Sequence, residues 1–344
     1  MIDFRYHLVS LISVFLALAV GIILGAGPLQ GAIGDQLTDQ VDALRGERNT
    51  LREELSEAQT EAGEQRQFVV AAGDQLVSGS LAGQRVAVVD VDEVGDGAEQ
   101  AVLDQLDDAG AELVAHESLT DSWTAPDEAT LRDTVAGGLR ERLAEVDGEV
   151  VDDESSTAEL LGAALTVALT DADPTDSSAR SAEAQDLQGL LEKVGLVDVE
   201  TAPEAPADAI LLLSGGDTHA DEAQAEDADP ETTGMGALTT LAGAAADLSG
   251  AAVVAGPTAQ EGDLVSAIRA DDELVDAVST VSGIESVTGQ IVVPLAIAAQ
   301  QSGTVDQYGF EEGATVLPPE PGSQDGDGSS QDAQGGASNQ GDGQ

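Results

Sequence analysis

Three histidines, two methionines and no cysteine make up the soft-donor inventory of this 344-residue chain: His7, His116, His219, Met1 and Met235. Without cysteine, disulfides, zinc ribbons, iron–sulfur clusters and thiolate nucleophiles are excluded. No two of these five residues stand at ligand spacing, so a metal site has to be assembled by the fold. The candidate set is His116, His219 and Asp217 with further carboxylates, a nitrogen–oxygen donor set suited to a divalent transition metal.

Asp217 and His219 lie in Ser214-Gly215-Gly216-Asp217-Thr218-His219, directly after the apolar run Ala209–Leu213. The segment admits a backbone anion nest, a cation held by Asp217 and His219, or a plain turn leaving a buried strand. A second glycine pair, Gly95-Asp96-Gly97, follows another apolar run but lacks the third glycine of a dinucleotide loop. Asp92, Glu93 and Asp96 around it would repel a pyrophosphate. There is no G-x-S-x-G elbow, H-E-x-x-H pair or Walker loop, so no enzyme, no catalytic residue and no certain cofactor is expected.

The chain carries 66 acidic against 12 basic residues, a formal net charge of −54. Such a polyanion repels nucleic acid, and no basic stripe offsets it. The acids are dispersed rather than gathered at ligand spacing, the pattern of a surface kept hydrated in concentrated, screening salt. Residues 1–68 hold five basic and ten acidic residues, so a net of −49 belongs to the remainder. With 42% hydrophobic residues, a real core is available, built with few aromatics.

The elements that must position these groups begin with an uncharged segment, residues 8–27. Twenty residues at about 1.5 Å each span about 30 Å, a hydrocarbon core. Pro28 at the position after Gly27 and Asp3 in the leading segment favour an uncleaved anchor (1–30) over a cleaved signal peptide. Arg5 before the span and Asp35, Asp39 and Asp42 after it place the N-terminus in the cytoplasm and the bulk outside. Ala17, Gly21 and Gly25 form a small-residue stripe suited to helix pairing.

Pro28 and Gly31 should loosen the joint to a coiled coil over 31–70. Its seam holds Leu37, Leu44 and Leu51 at d and Val41 and Leu55 at a, interrupted by Arg48 and Gln65. The rival reading is a lone amphipathic helix lying on the globular domain. Span and coil together predict a homo-oligomer.

The region 80–317 reads as α/β. Strands are expected at 85–91, 112–115, 196–200, 209–213, 251–255 and 274–278. Helices are expected at 98–109, 126–144, 156–169, 181–194, 236–248 and 286–300. The alternation implies a mainly parallel, doubly wound sheet, and the Pro/Gly/Ser/Gln/Asp tail 318–344 should be disordered.

The opening block Ile2-Asp3-Phe4-Arg5-Tyr6-His7-Leu8-Val9-Ser10-Leu11, running on through Phe15–Gly25, resembles the start of the mycobacterial copper transport protein B family of actinobacteria. Residues 275–283, Ile291-Val292-Val293-Pro294-Leu295-Ala296 and Asp306-Gln307-Tyr308-Gly309 are similar to that family's closing helix and tyrosine–glycine turn. The resemblance implies a role in copper transport or homeostasis in the cell envelope, with copper as the metal. Some relatives are instead tied to cell separation beside an envelope partner, which implies a non-catalytic anchored adaptor. One span per chain cannot enclose a pore without several copies, and thioether donors for copper(I) are few.

Overall fold

The computed structural model describes residues 4–146, 151–152, 154–216 and 233–319. The chain divides into two compact units, Met1–Phe68 and Val69–Gln344. The first consists of most of one long helix, α1 (Phe4–Val77), whose assignment runs unbroken through Pro28 and Gly31 where the sequence predicts a loosened joint. A proline inside a helix forfeits one backbone hydrogen bond, and the neighbouring turns keep theirs. Within α1, Phe4–Gly25 is long and apolar enough to cross a membrane.

The second unit is α/β. Its sheet is built from β1 (Arg85–Asp90), β2 (Glu112–Leu119), β5 (Val197–Thr201), β6 (Ala209–Leu213), β7 (Ala252–Gly256), β8 (Ser279–Ser282) and β9 (Gln307–Tyr308). The spatial order is β5-β2-β1-β6-β7-β8-β9. Every pairing is parallel except that of β5 with β2. The helices are α2 (Asp96–Asp108), α3 (Ala129–Val146), α4 (Thr157–Thr170), α5 (Ala182–Val194), α6 (Gly234–Leu248), α7 (Leu264–Ala270) and α8 (Val287–Gln301). A small hairpin, β3 (Ala172–Asp173) with β4 (Asp176–Arg180), stands apart from the sheet.

Strand side chains alternate between two cores, as the period of two requires. Ala87, Val89, Ile210, Leu212 and Val254 join the side covered by α3 to α7. Val86, Val88, Leu211, Leu213 and Val253 join the side covered by α2, α8 and Val77 at the end of α1. Both faces are therefore buried, which is why β6 and β7 read as unbroken apolar runs. Serine, threonine and aspartate side chains start the helices: Ser156 and Glu159 form a reciprocal cap on α4, and Ser181, Thr233, Asp263 and Ser286 cap α5 to α8.

Two expected elements differ. The helix at 126–144 is a 3-10 turn, Pro126–Glu128, followed by α3. The strand at 274–278 is a 3-10 turn, Leu274–Asp276, and the strand β8 begins only at Ser279. The cause is local: the Asp271 carboxylate accepts from the backbone N–H of Glu273 and Leu274, each at 2.9 Å, and turns the chain. β8 itself is Ser-Thr-Val-Ser, buried by satisfying its hydroxyls and amides, as when Thr280 donates to the Gln307 side chain at 2.6 Å. The tail 318–344 lies outside the described residues beyond Pro319.

The turn from β8 into α8 depends on backbone contact. A Cβ on Gly289, in the first turn of α8, would collide with the carbonyl oxygen of Gly283 and lie 2.9 Å from the Ile284 nitrogen. Neither atom belongs to a side chain that can move aside. Gly289→Ala should therefore destabilise the fold by about 1–3 kcal/mol, the usual range for overpacking. Gly138→Ala, on an exposed stretch of α3 with nothing within 4 Å of the added Cβ, should stabilise it by about 0.5–1 kcal/mol. Thermal unfolding of the detergent-solubilised chain checks both signs.

Candidate metal centre

β1, α2 and β2 form the first crossover of the sheet, and they bring an imidazole between carboxylates. Along β1, Val86 and Val88 face α2, and Asp90 continues that row at the strand's end. On β2 the pairing with β1 jumps from Val86↔Leu113 to Ala87↔Ala115, leaving Val114 as an extra residue. This bulge is decisive. Without it His116 would pair with Val89 and face the opposite core; with it His116 pairs with Val88 and joins the Asp90 row.

α2 supplies the third group. It starts at Asp96 behind Gly95, which offers no side-chain cap, and Asp96 and Glu99 in its first turn complement the positive end of the helix dipole. A second irregularity, on β5, leaves Glu200 unpaired between Thr201 and Val199 and turns it to the other side of the imidazole.

His116 Nε2 lies 2.9 Å from Asp90 Oδ2 and 3.8 Å from Glu99 Oε1, and Nδ1 lies 3.3 Å from Glu200 Oε2. His116 is 4% exposed and Asp90 5%; Glu99 is partly buried and Glu200 opens to solvent. One donor atom each from Asp90, Glu99 and His116 falls within 4.8 Å of the others. The hydrogen bond to Asp90 holds the His116 pKa above its ordinary value against the opposing effect of burial. Burial, reinforced by the Asp90 charge, pushes Glu99 up. Asp90 Oδ1 is buried without a hydrogen-bond partner. The cluster is thus a nitrogen and two carboxylates set close together, with a second nitrogen tied outward to Glu200.

Among the residues singled out by sequence, His116 sits at this centre, whereas Asp217 and His219 lie outside the described residues. Met235, in the first turn of α6, packs on the core, and His7 is exposed on α1. The stripe Ala17, Gly21 and Gly25 is exposed, as are Leu37, Val41, Leu44, Leu51 and Leu55. The crevice between β1 and β6, where the strand order reverses, is filled by the chain itself. Asp92 accepts hydrogen bonds from the Ser214 hydroxyl at 2.8 Å and from the Gly215 N–H, while the Gly216 N–H goes to Ser214 Oγ at 3.1 Å. A Cβ on Gly215 would collide with the Glu93 carbonyl. The described part of this segment, 214–216, is hydrogen-bonded to an internal carboxylate.

Residues 1–319 match the family described as copper transport outer membrane protein, MctB. The chain belongs to this family. It is similar to the copper transporter MctB of Mycobacterium bovis and that of Mycobacterium tuberculosis, at 29% identity over 326 residues, covering 91% of this chain and 98% of each relative. The copper transporter MctB of Mycobacterium leprae is 28% identical over 327 residues, 92% of this chain and 99% of its own. The resemblance carried by the N-terminal block therefore extends to a match over nearly the whole chain.

In this member of the MctB family, the bulge that aims His116 at Asp90 also sends Glu117 into the other core. Glu117 is fully buried; Arg180 and Gln188 favour its charge, and among the described residues neither carboxylate oxygen has a well-formed hydrogen bond. Burial pushes its pKa from 4.5 up to about 7, opposed by the charge of Arg180. Arg180 is itself committed to the carbonyls of Ala168, Ala184 and Pro203. The folded state holds the Glu117 proton up to about pH 7 while the unfolded state releases it near 4.5. The contribution of this group to stability is therefore greatest below 4.5 and falls as pH rises to 7, by up to about 3 kcal/mol. Glu117→Gln should flatten that fall, so its gain over the parent grows between pH 5 and 7; chemical denaturation across that range measures it.

Proposed function

We propose that this chain is a membrane-anchored, non-catalytic copper transport protein of the cell envelope, acting as an oligomer. The carrying observation is that an exposed apolar helix, Phe4–Gly25, continues in the same helix into exposed heptad leucines, in a chain of the copper transport family. The relatives are named copper transporters, and the family match supports the same cargo here. The Arg5 side of the span supports a cytoplasmic N-terminus, and the acid excess beyond residue 68 supports a head that stays hydrated in concentrated salt outside.

A single span cannot surround a conducting path, so transport on this reading needs several copies. Leu37, Val41, Leu44, Leu51 and Leu55 are all exposed, and burying them against the same face of a second copy is the inexpensive way to remove that apolar surface from water. At the span, a Cβ added to Gly21 or Gly25 meets nothing within 4 Å, so a second helix has room to approach closely there. The same exposed seam favours a second reading, an anchored adaptor that holds an envelope partner during cell separation.

A strain lacking this chain, grown across graded copper, separates the two readings. Loss of copper tolerance is the expected result; normal tolerance with chained, unseparated cells favours the adaptor. Replacing Leu44 and Leu51 together by Asp should convert the detergent-solubilised oligomer to monomer in sedimentation velocity while the head's thermal transition stays unchanged. An unchanged sedimentation coefficient would remove the coil from the account.

A further inference from the structure

We propose that Asp90, Glu99 and His116 bind one divalent copper ion, with Glu200 as the positioning residue that fixes which imidazole nitrogen donates. The proposal rests on the copper transport reading and adds to it the place, the donor atoms and the oxidation state of the cargo. Two observations carry it beyond a cluster of acids. The centre is a buried imidazole, with Nε2 aimed between two carboxylates rather than at solvent. Among the described residues, Asp90 Oδ1, in a residue only 5% exposed, also lacks a hydrogen-bond partner, leaving a lone pair that a cation would satisfy.

The spacing fits a small ion. Two donors about 2.0 Å from a metal and at right angles to one another stand about 2.8 Å apart, and His116 Nε2 and Asp90 Oδ2 stand at 2.9 Å. Glu99 Oε1, at 3.8 Å from Nε2, suits a third donor at a wider angle. The partly buried side of Glu99 leaves room for water or an incoming ligand in the remaining position.

The donor chemistry selects the oxidation state. One imidazole nitrogen with carboxylate oxygens is a borderline-to-hard set, poor for copper(I), which prefers thiolate and thioether. This chain has no cysteine, and Met235 packs on the other core. Among divalent first-row ions such a set favours copper(II), the peak of the stability series. Glu200 completes the arrangement. Its Oε2 faces Nδ1 at 3.3 Å, so that when a metal displaces the Nε2 proton now shared with Asp90, the proton left on Nδ1 is held by Glu200, the carboxylate–histidine–metal relation common in metal centres.

The test is a copper(II) sulfate titration of the full chain in detergent, followed by low-temperature electron paramagnetic resonance. The expected result is one equivalent of tetragonal copper(II) per chain, coupled to a single nitrogen. His116→Asn and Glu99→Gln should abolish that signal, and Glu200→Gln should weaken binding about tenfold with the stoichiometry kept. Glu99 is partly exposed, so its variant tests the site even if His116→Asn fails to fold, and thermal unfolding identifies that failure. A signal that survives Glu99→Gln, or one lost in His219→Asn but kept in His116→Asn, overturns the proposal. So does a spectrum without nitrogen coupling, or no stoichiometric binding. None of these results touches the copper tolerance of the deletion strain, which decides the transport reading separately.

Discussion

One extra residue in β2 sets the chemistry of the head. Val114 has no partner on β1, and from that point every β2 side chain faces the opposite side from the one an unbroken ladder would give it. The shift places His116 over the Asp90 row, under α2, and sends Glu117 into the other core. An imidazole and a carboxylate taken out of water together are costly unless they face one another. β1, β2 and α2 have to meet in this register for that pair to be satisfied. The parallel arrangement does the rest, because a crossover from β1 to β2 through α2 brings a strand's end and a helix's first turn to the same edge.

The switch-point crevice is the place where a doubly wound sheet ordinarily receives a ligand. Here Asp92 takes the backbone N–H of Gly215 and the Ser214 hydroxyl, so these donors are committed to the chain's own carboxylate. The cluster of an imidazole with carboxylates stands one strand over, on the β1–β2 side. The −54 charge does not locate this centre. Most of the acids among the described residues are surface groups subject to screening, whereas the Asp90–His116 pair is buried and little screened by salt.

The sequence made the architecture legible because its signals were local. Unbroken apolar runs marked β6 and β7, and their alternation with helical segments marked the mainly parallel sheet. β8 escaped because its residues are Ser-Thr-Val-Ser, whose burial depends on distant partners such as Gln307 and Gln300. The site was half legible. His116 stood out by composition, but its partners Asp90, Glu99 and Glu200 are three acids among 66, chosen by a bulge and a strand register that no local pattern encodes.

The central claim is that the copper of this family member is met at His116, as copper(II), on a nitrogen–oxygen centre. The most direct measurement is anomalous diffraction on either side of the copper absorption edge, from crystals of the full chain grown with copper(II). The account predicts one strong peak per chain, within coordination distance of His116 Nε2, Asp90 and Glu99. A map with its principal peak elsewhere, or no peak at this centre, would contradict it.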